Sequence, residues 1–312
     1  MANSAARELL GSDIEGAAVV KAIAHPAALQ VLHRPAGETS EDVELGGVGQ
    51  SKRHWLMRVA DLSDGNRLVR FVDRSEARAA EQMRVDFVAN ASHELRTPLA
   101  TLVGYTETLR ERAAEIDPAT SQRFLTIVHD EARRMQRIVE DLISLSRIEA
   151  ERFVAPTDAV DLLPLIEQAV DGARRTADER GSELRCELEP ALPPVAADSG
   201  QILQLLDNLL TNALRYGEPG TPVLVSAASE GGMVHLAVAD RGDGIPPEHL
   251  ARVTERFYRV DTSRSRAIGG TGLGLSIVKH IVERHRGRLN IDSTQGLGTT
   301  VHVRLPLAEP VS

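Results

Sequence analysis

The chain is poor in several things, and each shortage removes a class of explanation. One cysteine, Cys186, stands among 312 residues. No internal disulfide is possible, and no Cys/His cluster suggests zinc, so a reducing compartment fits. Aromatics make up only 3% of the sequence, so any core must be aliphatic. Positive charge is in deficit: the formal net charge is −9, against the basic face expected of a nucleic-acid binder. No apolar run approaches the roughly 18–20 residues that cross a bilayer. The opening "MANSAARELLGSDIEG" lacks the basic start and apolar stretch of a signal peptide. As given, the chain reads as cytoplasmic. It also lacks a GxxxxGK[ST] phosphate loop, so a nucleotide would have to bind another way.

What is present falls into three blocks. Residues 1–75 are mixed: "AAVVKAIAHPAALQVL" reads as a helix, and "DVEL", "RHWLMRVADL" and "NRLVRFVD" as short strands. Residues 76–152 hold a single glycine and a breaker pair at Asp117–Pro118, the signature of two long helices forming a hairpin. In the first helix Val88, Ala91, Leu95, Leu99, Leu102, Thr106 and Leu109 fall within about 40° of one line. In the second, Phe124, Val128, Met135, Ile138, Leu142 and Leu145 form a seam that Glu131 interrupts. Two helices bury little by themselves, so a second hairpin from another subunit completes a four-helix bundle. Residues 158–307 alternate helices and strands as one α/β block, with Ser199 as the expected N-cap of "SGQILQLLDNLLTNALRYG". Residues 308–312 are a tail.

The reactive groups are scattered across two of these blocks. His93 lies about 160° from the Leu95 line, on the outer face, with Thr97 one turn later on the same side. An imidazole is largely neutral at pH 7 and is then a competent nucleophile. Glu94 is placed to take or orient its ring proton. Pro98 removes a helical hydrogen bond just beyond, so a bend is expected there. Thr97 occupies the place where an HExxH zinc site needs a second histidine. By itself an exposed His-Glu pair says little.

Downstream, Asn208 and Asn212 sit one turn apart with Arg215 and Tyr216 following. Two amide oxygens at that spacing suit a hard cation such as Mg²⁺, and Arg215 suits a phosphate. "DRGDGI" puts Asp240 at a strand end, an acceptor for an exocyclic amine such as adenine's, with Gly242 and Gly244 permitting close backbone approach. "GGTGLGLSIV" places glycines at 269, 270, 272 and 274 ahead of a helix, where free N–H groups bind phosphate. The Arg- and Ser-rich stretch 246–268 between these elements reads as a lid.

These stretches resemble the sensor histidine kinases of two-component systems, over about residues 73–307. "FVANASHELRTPLA" resembles that family's H box, "NLLTNALRY" its N box, "DRGDGIP" its G1 box, "ERFYRVD" its F box and "GGTGLGLSIVK" its G2 box. The second helix is most similar to phosphate-regulon sensor kinases. The resemblance implies an α+β chain: a dimeric four-helix bundle of helical hairpins, then a GHKL-type α/β sandwich that binds ATP and Mg²⁺. It implies His93 as phospho-acceptor, Glu94 as its acid/base partner and Thr97 as a residue for dephosphorylating the partner. It places Asn208 and Asn212 near Mg²⁺, Asp240 on adenine, and Gly270, Thr271, Gly272, Leu273 and Gly274 on the nucleotide. The expected partners are a second copy of the chain and the receiver domain of a response regulator, whose aspartate takes the phosphoryl group. The N-terminal block resembles the latter half of a PAS sensor domain, without its opening strands and without membrane helices. Either the chain is a fragment of a protein anchored to the inner membrane, or the sensor is incomplete. Two other readings stay open. A GHKL-type ATPase would release free phosphate and form no phosphoprotein. A non-catalytic scaffold binding a response regulator would have no affinity for ATP.

Overall fold

The computed structural model describes residues 1–18, 21, 23, 25–35, 42–46, 53–62, 64–112, 115–260 and 270–308, apart from the side chains of residues 80 and 84. The chain divides into two compact units, Met1–Ala89 and Asn90–Ser312.

In the first unit, helices α1 (Ser4–Leu10) and α2 (Pro26–Leu32) accompany an antiparallel sheet of β1 (Val43–Gly46), β2 (His54–Asp61) and β3 (Arg67–Asp73), in the order β1-β2-β3. Its small core gathers Ala28 and Val31 from α2, with Leu45, Met57 and Val59 from the strands. Within the expected helix over 17–32, Lys21 is helical and a helix runs over Pro26–Leu32, where proline pre-sets the first helical position. Residues 19, 20, 22 and 24 of that expectation lie outside the described residues.

Helix α3 (Ser75–Glu111) carries His93, and the division between the two units falls inside it. It runs through Pro98 as one helix, and Pro98 itself is buried. Helix α4 (Pro118–Ala150) begins where Asp117 accepts a hydrogen bond from the Thr120 N–H at 3.0 Å, with Pro118 at the first helical position. Tyr105 and Phe124 meet across the hairpin, their ring centroids 4.8 Å apart. The expected seam is only partly covered. Leu99 stays 50% exposed, while the buried line on α4 is Arg134, Ile138, Leu145 and Ile148. A single hairpin has too few facing side chains to cover both of its apolar faces.

The rest of the second unit is one sheet covered by helices on one face. A short pair, β4 (Ala159–Val160) with β6 (Val195–Ala196), flanks it. The five-stranded sheet combines β5 (Leu184–Leu188), β7 (Val223–Glu230), β8 (Met233–Asp240), β9 (Arg288–Thr294) and β10 (Gly298–Pro306), in the order β5-β7-β8-β10-β9. Only β5 and β7 run parallel, joined through helix α6 (Ser199–Tyr216). Alternate residues point inward: Val223, Val225 and Ala227, then Val234, Leu236 and Val238, then Val301, Val303 and Leu305. Helices α5 (Leu162–Glu179), α6 and α8 (Gly274–Arg284) cover them, with Ile166, Leu206 and Ile277 wholly buried; α7 (Pro247–Leu250) is a single turn. The hairpin β7–β8 turns at Gly231 and Gly232, both at positive φ, the conformation that a tight two-residue hairpin needs.

The start of α6 differs from the sequence expectation. Asp198, not Ser199, is its N-cap: its Oδ1 accepts from the Gln201 N–H at 3.1 Å. Its own backbone N–H donates to Nε2 of the buried His285 at 3.0 Å, and its carboxylate lies 3.4 Å from Arg284. Aspartate prevails because it caps the helix and ties it to the end of α8 together. Leu206→Ala, at a fully buried α6 position, is expected to cost about 2–5 kcal/mol of unfolding free energy, measured by denaturant titration; a cost below about 1 kcal/mol would contradict this core.

Candidate active site

Helix α6 is amphipathic: Ile202, Leu205, Leu206, Leu209 and Leu210 face the sheet, while its polar side borders a cavity of about 1120 Å³. Asn208, Asn212, Arg215 and Tyr216 of α6 all line that cavity. Asp240, Gly242 and Gly244 line it from the loop after β8, and Gly270, Thr271, Gly272 and Gly274 from the segment entering α8. Leu273 is the exception: its side chain is wholly buried and does not line the cavity, because as an apolar N-cap residue it turns into the core. Gly269 and the greater part of the expected lid's second half, 261–269, lie outside the described residues.

Local chemistry explains the glycines. A Cβ on Gly242 would collide with the Tyr216 carbonyl oxygen, so the loop after β8 can approach the end of α6 only without a side chain. Gly272 has φ +73°, and its Cβ would lie 2.9 Å from Phe257 Cα. Phe257 itself has φ +62°, a strained value for a side-chain-bearing residue. Asn208 donates its Nδ2 to the Gln204 carbonyl at 2.9 Å, which leaves its Oδ1 as the acceptor facing Gly274.

Burial perturbs the ionisable groups of the cavity. It raises the Asp240 carboxyl to about 6, against the opposing pull of the Thr299 and Gly242 N–H groups. Burial also raises Asp141, whose Oδ2 accepts from Thr271 Oγ1 at 2.9 Å, and lowers the Arg215 guanidinium. Asp141 of the hairpin therefore forms part of the cavity wall. Sequence reasoning missed it, since it lies far along the chain in a helix read only for its apolar seam. It also missed Arg180, which lines the cavity and donates to the Gly217 carbonyl at 2.9 Å. Neither carries a local signal.

His93 and Glu94 line a second, smaller cavity of about 310 Å³, closed by Arg252, Glu255, Arg256, Phe257 and Tyr258. Tyr258 borders both cavities. His93 is exposed, and Thr97 Oγ1 lies 3.5 Å from its carbonyl oxygen. Glu94 Oε2 accepts from Arg134 Nη2 at 3.1 Å, with Arg259 Nη1 3.9 Å away. The sequence-expected residues thus sit in two groups: the nucleotide elements together, and His93, Glu94 and Thr97 apart from them.

Residues 83–151 match the histidine kinase A (phospho-acceptor) domain, and residues 197–309 the histidine kinase-, DNA gyrase B- and HSP90-like ATPases. The sensor-like histidine kinase SenX3 of Mycolicibacterium smegmatis is 37% identical over 279 residues, 86% of this chain and 72% of that protein. The chain belongs to the sensor histidine kinases. It is an ATP-dependent protein-histidine kinase of a two-component system. The kinase is also 39% identical to the phosphate regulon sensor protein PhoR of Pseudomonas aeruginosa, over 76% of this chain and 53% of that one. It spans 39% of WalK of Bacillus subtilis, a 38% identical sensor histidine kinase. Among solved structures, full-length ShkA in complex with AMPPNP is 27% identical with a TM-score of 0.53, covering 73% of this kinase and 47% of that chain. Acinetobacter baumannii AdeS shares the fold at a TM-score of 0.55 and 23% identity, over 70% of this kinase and 98% of that chain. No helix among the described residues is long and apolar enough to cross a membrane.

The raised Asp240 makes a signed prediction. The folded kinase holds a proton that the unfolded chain releases between the model carboxyl value of 3.8 and about 6. This group's contribution to stability therefore falls as pH rises through that window. Asp240→Asn is expected to leave the melting temperature unchanged below about pH 4 and raise it relative to wild type above about pH 6. Thermal unfolding across pH checks this; an equal offset at all pH values would refute it.

Proposed function

We propose that the large cavity holds ATP and that His93 is the acceptor of its γ-phosphoryl group. The supporting observation is that three short segments, 208–216, 240–244 and 270–274, separated by 23 and 25 residues of sequence, line one cavity with the chemistry a nucleotide needs. Asp240 accepts from the adenine amine, and Tyr216 with Gly242 and Gly244 borders the base and ribose. Arg215 and the backbone N–H groups of 270–274 meet the phosphates at the start of α8. Among the described residues no group of three or more His, Cys, Asp or Glu side chains is arranged for a metal. Two amide oxygens, from Asn208 and Asn212, fit Mg²⁺, a hard cation that shares its shell with phosphates and water. When bound, Mg²⁺ would neutralise phosphate charge. The AMPPNP complex of ShkA supports the nucleotide assignment by analogy.

In the reaction a ring nitrogen of His93 attacks the γ-phosphorus. The N–P bond forms, the P–O bond to ADP breaks, and Glu94 takes the ring proton. Catalysis is mainly positioning and charge neutralisation. Because Tyr258 stands between the two cavities, the 252–258 segment must move from His93 before the phosphate can reach it. Residues 76–152 then act as the phosphotransfer hairpin, 158–307 as the ATP-binding domain and 1–75 as a relay segment. The kinase works as a homodimer, a reading supported by the exposed Leu99, Val103, Leu125, Val139 and Ile143 on the hairpin. The phosphoryl group passes to a receiver-domain aspartate, and Thr97 serves the reverse, dephosphorylating reaction. Membrane attachment rests only on the greater length of the relatives.

Incubation with γ-labelled ATP tests the acceptor. Wild type should gain acid-labile label and His93→Gln none; label retained by His93→Gln, or only free phosphate from wild type, would sink the assignment. Thr97→Ala is expected to keep autophosphorylation within about twofold while slowing regulator dephosphorylation at least about tenfold. Nucleotide affinity, measured by calorimetry, should weaken up to about tenfold per pH unit below about 6 as Asp240 takes up its proton. An affinity independent of pH down to about 5 would remove Asp240 from the adenine site.

A further inference from the structure

Glu94 is held from behind by a charge that the reaction itself does not use. Arg134 lies on α4, forty residues downstream, and is only 7% exposed. Its Nη2 donates to Glu94 Oε2 at 3.1 Å. Its Nη1 lies 3.9 Å from Glu131, and its Nε has no hydrogen-bond partner among the described residues. Glu94 is thus the one group to which this buried guanidinium is hydrogen-bonded among the described residues. A buried guanidinium is costly unless paired, so the pairing is enforced from the arginine's side. The glutamate that interrupted the apolar seam of α4 belongs to the same set: Glu131, Arg134 and Glu94 alternate in sign across the two helices.

We infer that Arg134 is a positioning residue for the histidine phosphorylation, holding the Glu94 carboxylate in one orientation beside His93. The inference rests on the reading of Glu94 as the acid/base partner. One feature makes Arg134 suited to this. It approaches from the same hairpin, so it accompanies Glu94 wherever the ATP-binding domain moves. Arg259, 3.9 Å from the same oxygen, follows directly on the 252–258 segment that must move. When that segment leaves His93, Arg259 leaves with it and Arg134 remains as the counter-charge.

Other charges face the site. His93 and Glu94 share their cavity with Arg252, Glu255, Arg256 and Tyr258. Arg252 is engaged with Glu255 at 3.3 Å, and Arg256 with Glu149. Arg134 is the residue that hydrogen-bonds the Glu94 carboxylate from within the hairpin.

The test is the steady-state kinetics of autophosphorylation in the full chain, with ATP varied, for five proteins: wild type, Arg134→Met, Arg134→Lys, Glu94→Gln and the double variant carrying Glu94→Gln with Arg134→Met. With Arg134→Met, kcat should fall about tenfold with KM for ATP within about twofold. Arg134→Lys should return part of the rate. Glu94→Gln should lose most of the rate, and the double variant should lose little more. If Glu94→Gln keeps the rate of wild type, the acid/base reading fails. If Glu94→Gln behaves as expected but Arg134→Met keeps the rate of wild type, or adds its full loss to that of Glu94→Gln in the double variant, the positioning role of Arg134 fails. Equal loss in Arg134→Met and Arg134→Lys, with a lowered melting temperature, assigns Arg134 to fold stability alone and overturns the inference.

Discussion

The burial of one face of α6 against the sheet is the constraint on which the catalytic part of this kinase depends. Ile202, Leu205, Leu206, Leu209 and Leu210 leave the helix one rotational setting, because turning it would expose a continuous apolar stripe. That setting points Asn208, Asn212 and Arg215 into the cavity. Asp198 then fixes the helix along its axis, capping it and binding it to His285 and Arg284 of α8 and its end. The glycine segment enters the cavity at the other end of that same α8, so the two nucleotide elements are positioned by one packing arrangement.

Close backbone approach does the rest. The loop after β8 reaches the end of α6 because Gly242 has no side chain to strike Tyr216, and the segment before α8 reaches Phe257 because of Gly272. A cavity built from helix face, strand end and bare backbone offers acceptors, donors and shape without a phosphate loop. Its low exposure also explains why Asp240, Asp141 and Arg215 are all shifted toward their neutral forms by burial.

The two-cavity arrangement separates the proposed nucleotide site from His93, the proposed acceptor. Tyr258 borders both spaces, Phe257 is held at positive φ beside them, and the hairpin is tied to the ATP-binding part through Asp141–Thr271, Ser144–Gln204 and Arg284–Glu151. Arg256–Glu149 and His280–Glu149 add to these partly exposed polar ties, the kind that a signal of a few kcal/mol can exchange. On the proposed function, a conformational step as well as chemistry would join His93 on one side to the glycines on the other.

Much of this was legible from the residues alone. Helical periodicity with the Asp117–Pro118 break gave the hairpin, alternation with Gly231–Gly232 gave the β7–β8 ribbon, and glycine, asparagine and aspartate in order gave the nucleotide elements. These are local patterns, and local patterns follow from backbone geometry and side-chain period. The choice of Asp198 over Ser199 as cap, the inward turn of Leu273 and the burial of Pro98 were not legible, since each depends on what packs beside it. Nor was the meeting of Glu94 with Arg134 or of Thr271 with Asp141. Sequence by itself determined which chemistry this chain carries, because reactive groups and their helical or strand spacing are written in order. Only the tertiary structure decided which charges stand together and which spaces they close, because pairing across 40 or 130 residues is set by the burial of apolar faces and leaves no trace in the spacing.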